Sequence, residues 1–188
     1  NGYKDEAFIR LALMSQKLGK KVFIVVEKLD ELALIEKVAG ELGVQPNIGL
    51  RIKLVSAGQG RWSSSAGEHS KFGLNPMELM EALEIAKDKN ILDCVKLIHF
   101  HLGSQITNIR RIKDSLKEVG RFYSELMKFG CNIQYIDVGG GLGIDYDGSR
   151  STFASSTNYS VQEYANDVVY HILETCQAET LPHPNIIS

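Results

Sequence analysis

Short apolar segments rich in Val and Ile alternate with helical patterns along the whole chain, and this alternation constrains the fold more than any other feature. Segments of strand type cover residues 21–26, 48–54, 94–101, 133–138 and 184–188. Helical spacing of apolar residues predicts helices over 5–18, 29–42, 75–87, 109–126 and 161–176. Continuous apolar strands are typical of sheets covered on both faces, so the pattern predicts a parallel sheet built from βα units.

Two architectures fit such a sheet: a doubly wound open sheet and a (β/α)8 barrel. A complete barrel takes about 250 residues, whereas this chain has 188. The chain opens at Asn1 without an initiator methionine and closes on what looks like the start of a strand, so both ends are expected to be cut. We therefore predict a partial (β/α)8 TIM barrel with about five βα units, in which residues 1–188 form an internal segment.

Composition excludes several functional classes. The chain is 44% hydrophobic and 23% charged with a formal net charge of −2, and its Lys and Arg residues are scattered, which argues against a nucleic-acid surface. No apolar run approaches the roughly 20 residues that span a bilayer, and no targeting segment is visible, so a cytoplasmic location is expected. Cys94, Cys131 and Cys176 lie far apart without a CxxC spacing, which favours free thiols.

Two histidines stand at the end of the third predicted strand. His99 and His101 are two residues apart and share one strand face, so both should point into the barrel or its mouth. One alternative is a hydrogen-bonded core histidine. Another is a metal site, but zinc needs at least three protein ligands. The remaining histidines are poor candidates for a third ligand, because His69 lies in a Gly/Ser-rich loop, His171 on a predicted helix and His183 between two prolines.

A glycine-rich stretch, Asp137-Val138-Gly139-Gly140-Gly141-Leu142-Gly143, follows the fourth predicted strand. Glycine accepts positive φ and lets backbone N–H groups form an anion-binding nest, which suits a phosphate. The dinucleotide fingerprint fits badly, because its third glycine position holds Ile144 or Tyr146 and no helix follows directly. A plain flexible turn remains the alternative.

The loop over residues 56–70 contains the sole tryptophan, Trp62. So long an irregular loop predicts a lid or a binding element, or else a solvated excursion. Active sites of barrels lie at the carboxyl ends of the strands. Together these features predict one phosphorylated ligand at a barrel mouth, with a strand-end histidine beside the ring of a cofactor such as pyridoxal 5'-phosphate (PLP).

Three motifs make the chain resemble a known family. They are His-Ser-Lys-Phe-Gly-Leu at 69–74, Leu-Ile-His-Phe-His-Leu-Gly-Ser-Gln at 97–105 and Asp-Val-Gly-Gly-Gly-Leu-Gly-Ile-Asp-Tyr at 137–146. In this order they resemble the fold-type III PLP-dependent decarboxylases, which have an alanine racemase-like barrel and include the ornithine, diaminopimelate and arginine decarboxylases. Flanking stretches at 1–6, 60–65, 158–159 and 163–166 are most similar to the bacterial biosynthetic arginine decarboxylases.

The resemblance implies roles for particular residues. His101 would stack on the cofactor ring, Ser104 would hydrogen-bond the phosphate, and Lys71 would act near the active site in an electrostatic or structural role. The backbone N–H groups that would hold the phosphate belong to Gly139, Gly140 and Gly141. The stretch expected to face cofactor and substrate comprises Asp137, Val138, Gly139, Gly140, Gly141, Leu142, Gly143, Ile144 and Asp145.

The implied activity is that of a carboxy-lyase, which converts L-arginine to agmatine and CO2 in putrescine and spermidine biosynthesis. The lysine that binds the cofactor is expected before Asn1, and β and helical domains are expected after the barrel, so this chain alone should be inactive. The resemblance also implies Mg2+, without a visible ligand set, and a homo-oligomer, dimer or tetramer, with shared active sites. A sibling decarboxylase of another basic or diamino acid, or an inactive homologue that binds partners, are the alternatives.

Overall fold

The computed structural model describes residues 2–56, 70–151 and 156–188. Its helices are α1 (Glu6–Lys17), α2 (Asp30–Leu42), α3 (Pro76–Asp88), α4 (Ile109–Phe129) and α5 (Val161–Glu179). Its strands are β1 (Ile24–Val26), β2 (Ile48–Arg51), β3 (Val95–His99), β4 (Tyr135–Asp137) and β5 (Asn185–Ile187). A short 3-10 helix, Leu92–Cys94, precedes β3. Within the described part of the chain, the predicted alternation of strands and helices is confirmed.

The strands form one parallel sheet in the order β1-β2-β3-β4-β5, so neighbours in the sheet are also neighbours along the chain. Crossovers between parallel strands are right-handed, so strands added in one direction place every helix on the same face. A doubly wound sheet reverses its strand order at a switch point and covers both faces. The observed order is that of a barrel wall, and of the two predicted architectures it supports the barrel.

The two faces of the sheet have different partners. The face toward the helices carries the main core, whose buried strand residues include Ile24, Val26, Ile48, Leu50, Ile98 and Ile136. On the opposite face, a Cβ atom placed on Gly49 would lie 2.8 Å from Leu97 Cδ2 and 3.0 Å from Val25 Cγ2. Glycine at position 49 therefore lets the side chains of the neighbouring strands close over β2. We call this the inner face of the sheet.

Helix starts follow the sequence signals closely. Asn75 accepts a hydrogen bond from the N–H of Glu78, and Glu78 accepts one in return, which is the predicted capping box before Pro76. Ser160 and Glu163 form a second capping box at the start of α5. Such pairs satisfy N–H groups that the first helical turn leaves without partners.

Strand ends were predicted less well. The segments predicted over 48–54, 94–101 and 133–138 are longer than the observed β2, β3 and β4. Beyond β2, Ile52 forms only an isolated bridge with Leu74. Ile52, Leu54 and Phe100 are nevertheless buried. A run of apolar residues indicates which residues are buried, and burial continues beyond the last hydrogen-bonded strand pair. The predicted strands were therefore longer than the observed ones.

Candidate functional site

The carboxyl ends of β2, β3 and β4 lie side by side and carry ionisable side chains. The register pairs Arg51 with His99 and His99 with Asp137. Because residues paired across a sheet share a face, all three lie on the inner face. The sequence predicted His99 and Asp137 at this edge, whereas it gave no reason to select Arg51.

His99 and Asp137 form a close pair. His99 is 4% exposed, and its Nδ1 lies 3.0 Å from Asp137 Oδ2 without the angle of a good hydrogen bond. The N–H of Gly139 donates to Asp137 Oδ1 at 2.9 Å. Burial alone would raise the pKa of Asp137, but the His99 ring and the Gly139 N–H stabilise the carboxylate and the pKa lies below its ordinary value. Asp137 is therefore a carboxylate anion held in place at the carboxyl edge of the sheet.

His101 lies two residues beyond the end of β3 and is exposed. Partial burial, the charge of Arg51 and the neighbouring His99 lower the pKa of His101, and Asp137 opposes them only in part. The imidazole is therefore neutral over most of the physiological range. An exposed, neutral aromatic ring at a barrel mouth is suited to packing against the ring of a ligand.

The glycine loop, residues 139–143, packs against the chain that follows β3. Gly139 has φ +68°, and a Cβ atom there would lie 2.5 Å from Phe100 O and 3.2 Å from His101 Nδ1. Gly141 has φ +89°, and its Cβ would lie 1.8 Å from Gly103 O. No other residue type fits these positions without displacing a backbone carbonyl. The glycine loop is thus a close-packed element, which contradicts the alternative of a plain flexible turn.

Two backbone donors of the glycine loop are available for an anion. The N–H of Gly139 is used by Asp137, but within residues 2–56, 70–151 and 156–188 no acceptor takes the N–H of Gly140 or Gly141. Ser104 is exposed, and its Cα would lie 3.3 Å from a Cβ on Gly141. One hydroxyl and two amide donors are thus close together. This arrangement fits a phosphate group.

Several hydrogen bonds tie the glycine loop to residues 105–106. The Gln105 side chain donates to Ile144 O at 2.7 Å and accepts from Ile144 N at 3.0 Å. Ile106 N donates to Gly141 O at 3.0 Å, and Gly143 N donates to Ile106 O at 3.1 Å. These bonds hold the two loops against each other. Gln105 was not selected from the sequence, beyond its place in a family motif.

Tyr159, in the segment before α5, also links the two loops by hydrogen bonds. Its hydroxyl donates to Ile106 O at 2.5 Å and accepts from Gly143 N at 3.2 Å. Asn158 accepts a hydrogen bond from Ile109 N at 3.0 Å, at the first turn of α4. The Asn158-Tyr159 pair, which the sequence marked only as part of the family resemblance, therefore holds both loops to the start of a helix.

The other predicted site residues are distributed around this centre. Asp145 is half-buried, and its Oδ1 has no solvent contact and no hydrogen-bond partner in the described chain. Val138 is buried, Leu142 is half-buried and Ile144 is exposed. Lys71 is exposed and accepts the Tyr3 hydroxyl at its carbonyl oxygen, at 2.6 Å. The structure joins His101, Ser104 and the glycine loop, and it describes no contact of the Lys71 side chain with them.

The described residues were examined for a metal-ion cluster and for a membrane-spanning helix. Outside the gaps at 57–69 and 152–155 there is no group of three or more His, Cys, Asp or Glu residues that could hold a metal ion. No helix in the described ranges is long and apolar enough to cross a bilayer. The predicted lid or binding loop at 56–70, with Trp62 and His69, lies almost wholly outside the described residues.

Comparison with known proteins places this geometry in context. Residues 1–188 match the family described as pyridoxal-dependent decarboxylase, pyridoxal binding domain. Over its full length the chain is 55% identical to the biosynthetic arginine decarboxylase of Bacteroides thetaiotaomicron, of which it covers 30%. It is 54% identical to that of Rhodopirellula baltica, of which it covers 28%. The chain thus spans less than a third of the length of these relatives.

Solved structures show the same fold. The biosynthetic arginine decarboxylase of Campylobacter jejuni has a TM-score of 0.83 and 37% identity, and the match covers 100% of this chain and 29% of that one. A diaminopimelate decarboxylase of M. jannaschii, in complex with L-lysine, has a TM-score of 0.78 and 26% identity, covering 99% of this chain and 41% of that one. The predicted fold class, an alanine racemase-like partial barrel, is confirmed.

Proposed function

The chain belongs to the pyridoxal-dependent decarboxylases, of which it matches the pyridoxal-binding domain, and from this premise we propose that the full-length protein decarboxylates L-arginine to agmatine and CO2. The observation that carries the substrate assignment is the 55% identity to a biosynthetic arginine decarboxylase over all of this chain. Agmatine would then enter putrescine and spermidine formation.

The described residues fit the cofactor at two points. The donors of Ser104, Gly140 and Gly141 would bind its phosphate, because two of them are amide N–H groups without acceptors in the described chain. The imidazole of His101 would pack on its ring, since the side chain is exposed beside Gly139. When bound, PLP supplies an electron sink for the carbon that loses its carboxylate.

The role of the chain in this reaction is to bind and orient. A neutral His101 contributes no positive charge beside the ring, and its lowered pKa supports that state at neutral pH. Asp137 holds Gly139 in place through the Asp137 Oδ1 hydrogen bond. Gln105 and Tyr159 keep the phosphate donors rigid, so that little conformational entropy is lost when the ligand binds.

Substrate contacts belong to the segment from Asp137 to Asp145. Asp145 is the proposed partner for a guanidinium group, because its Oδ1 is shielded from solvent and lacks a hydrogen-bond donor. A carboxylate that accepts from a guanidinium can do so with two parallel N–H bonds. The remaining residues of the segment would face the substrate through their backbone.

Lys71, magnesium and assembly stay predictions of the family resemblance. The exposed Lys71 side chain would contribute a positive charge near the site. The described residues do not fit a magnesium site, so magnesium has no step in this proposal. A homo-oligomer with shared active sites and a cytoplasmic location are proposed on the same basis, and the catalytic lysine and the further domains are proposed to lie outside residues 1–188.

The test is an assay of the full-length protein that carries this segment. Agmatine and CO2 would be measured from arginine, with ornithine, lysine and diaminopimelate as controls, and bound cofactor would be quantified by its absorbance. Agmatine formed from arginine alone is the expected result. Turnover of diaminopimelate or ornithine instead would assign the substrate of a sibling decarboxylase. Diaminopimelate is included because the chain is 26% identical to the M. jannaschii diaminopimelate decarboxylase. Absence of bound PLP would refute the proposal.

A further inference from the structure

A row of four ionisable side chains crosses the inner face of the sheet at its carboxyl edge, and we call it the polar row. It consists of Glu27, Arg51, His99 and Asp137. Val26 pairs with Leu50, so the next residues, Glu27 and Arg51, lie side by side, and the register continues from Arg51 through His99 to Asp137. The proposed function uses Asp137, whose carboxylate His99 stabilises, and leaves Glu27 and Arg51 without a role.

Glu27 is the most deeply buried member of the polar row. Its side chain has no solvent exposure, and its carboxylate oxygens lie 3.1 and 3.0 Å from Arg51 Nη1. The carboxylate also accepts the N–H of Gly2. A charge in such a position is costly unless it is paired. The carboxylate of Glu27 therefore determines where the guanidinium of Arg51 lies.

The backbone of Glu27 is fixed as well. Its N–H donates to Glu31 Oε2 at 2.7 Å. Glu31 is 3% exposed and in turn accepts from Lys4 N at 2.9 Å and pairs with Lys4 Nζ at 3.3 Å. Two buried ion pairs thus support each other at the carboxyl end of β1. The position of Glu27 is therefore fixed through both its backbone and its side chain.

Arg51 has donors left over. A guanidinium carries five N–H groups, and both described hydrogen bonds of Arg51 come from Nη1. Within the described ranges no acceptor takes Nε or Nη2, although the side chain is only 13% exposed. The Phe72 ring lies 5.3 Å from the guanidinium carbon. Neither Nε nor Nη2 is among the buried polar atoms without a partner in the described chain, so both keep solvent contact and are accessible to a ligand oxygen.

The position of Arg51 connects it to the proposed cofactor site. Arg51 is paired in register with His99, and His101 follows two residues later on the same strand line. The charge of Arg51 contributes to the lowered pKa of His101, second to burial. The other titratable groups that act on His101 are His99 from β3 and Asp137 from β4.

We propose that Glu27 is a positioning residue of this site: it holds Arg51 so that the N–H groups of Nε and Nη2 bind an anionic oxygen of the ligand beside His101. The inference rests on the proposed function, since it takes the ligand to be PLP or the substrate carboxylate. It assigns a role to two residues on different strands that share no sequence motif.

The experiment uses the full-length protein with Glu27→Gln, which keeps the shape of the side chain and removes its charge. The apo protein would be titrated with PLP, and KM for arginine would be measured in the holoenzyme. Glu36→Gln is the matched control, because Glu36 is a nearby glutamate on α2 whose described ion pair, with Lys89, is exposed. We expect PLP affinity or arginine KM to worsen roughly tenfold or more in Glu27→Gln, and neither to change in the control.

Arg51→Lys keeps the inference testable if Glu27→Gln does not fold, because lysine preserves the charge pair with Glu27 and removes the planar fork. This variant should lose as much affinity, and the double variant should lose little more than either single one, because both act through the same group. Additive losses would overturn the proposal.

A readout independent of turnover is the pKa of His101 in the apo protein, followed by NMR. Arg51→Met should raise the pKa of His101 by removing a nearby positive charge. Wild-type protein that binds no PLP would refute the proposed function, whereas wild-type affinity and KM in Glu27→Gln, with PLP bound, would refute the positioning role alone.

Discussion

Replacement of Gly141 by alanine is expected to open the junction between the glycine loop and residues 103–106. Gly141 has φ +89°, and a Cβ atom there would lie 1.8 Å from Gly103 O, whereas real Cβ contacts are essentially never shorter than 3.0 Å. One of the two segments must therefore move. Gly141 O accepts the hydrogen bond from Ile106 N at 3.0 Å, so the movement acts on this bond directly.

The expected cost has two parts. A left-handed backbone costs a residue with a Cβ about 1–2 kcal/mol. Loss or distortion of the Ile106 hydrogen bond adds about 1 kcal/mol, and more if the donor stays buried. We expect Gly141→Ala to reduce the local opening free energy by about 3 kcal/mol, at the upper end of ordinary substitutions.

Two other glycines separate these contributions. Gly148 has φ +70° but nothing within 4 Å of a Cβ, so Gly148→Ala carries the backbone cost alone. Gly140 has neither positive φ nor a close neighbour, so Gly140→Ala should change stability by less than about 0.5 kcal/mol. The three variants share one substitution and differ only in local geometry.

The assay is hydrogen exchange of the full-length protein, read by mass spectrometry on peptides that contain Ile106 and the glycine loop. Exchange at Ile106 should accelerate about a hundredfold in Gly141→Ala, since each 1.4 kcal/mol is a factor of about ten. Protection in Gly141→Ala equal to that in Gly140→Ala would refute the reasoning. If Gly141→Ala lowers protection of its loop only as much as Gly148→Ala lowers protection of its own loop, the contact between Gly141 and Gly103 O relaxes without an energetic cost.

Three further expectations follow from other sites. Asp137→Asn should flatten the acid limb of a plot of stability against pH. The pKa of the Asp137 carboxylate, which His99 stabilises, is lower in the folded protein than in the unfolded chain. The ionised carboxylate therefore stabilises the folded state above the ordinary carboxyl pKa of about 4, and this stabilisation is lost as the pH falls through the folded-state pKa. An unchanged limb would contradict this. Gly120→Ala should destabilise by about 1–3 kcal/mol, because its Cβ would lie 2.3 Å from Thr175 Oγ1 on α5. Thermal unfolding should show recovery in the double variant with Thr175→Ala, and no recovery would mean that the contact is not limiting. Burial raises the pKa of the Cys131 thiol to about 12, so a thiol reagent should label it only after unfolding, and labelling of the folded protein at neutral pH would refute the burial argument.

Local signals in the sequence were sufficient to predict the helices and the presence of the strands. The capping box at Asn75 and the helical spacing over α4 are set by residues three or four positions apart, and both are confirmed. The strand order does not follow from these signals, because the same alternation also fits a doubly wound sheet, and the observed order β1-β2-β3-β4-β5 decides between the two architectures. The ends of the strands, as at Phe100, depend on where the hydrogen bonds between strands stop, and the apolar pattern carries no information on that.

The candidate site was predictable only where a residue type carries its own signal. His101 and the glycines of the 139–143 loop are unusual residues in unusual places, and the structure joins them. Arg51 and Glu27 are ordinary charged residues 24 positions apart, and only the strand register brings them together. Tyr159 lies 53 positions from Ile106, and only the folded chain brings its hydroxyl to the Ile106 carbonyl.

The consecutive strand order also bears on how the protein is made. Every strand pair in the described sheet joins units that leave the ribosome one after the other. Synthesis at about 5–20 residues per second is slow compared with the docking of a helix on a strand pair. Each βα unit can therefore pack on its predecessor before the next is translated, and assembly of this wall can proceed in step with elongation. Synonymous codons that slow translation just after α3 or α4 would be expected to favour soluble product, since a finished unit then waits for its neighbour.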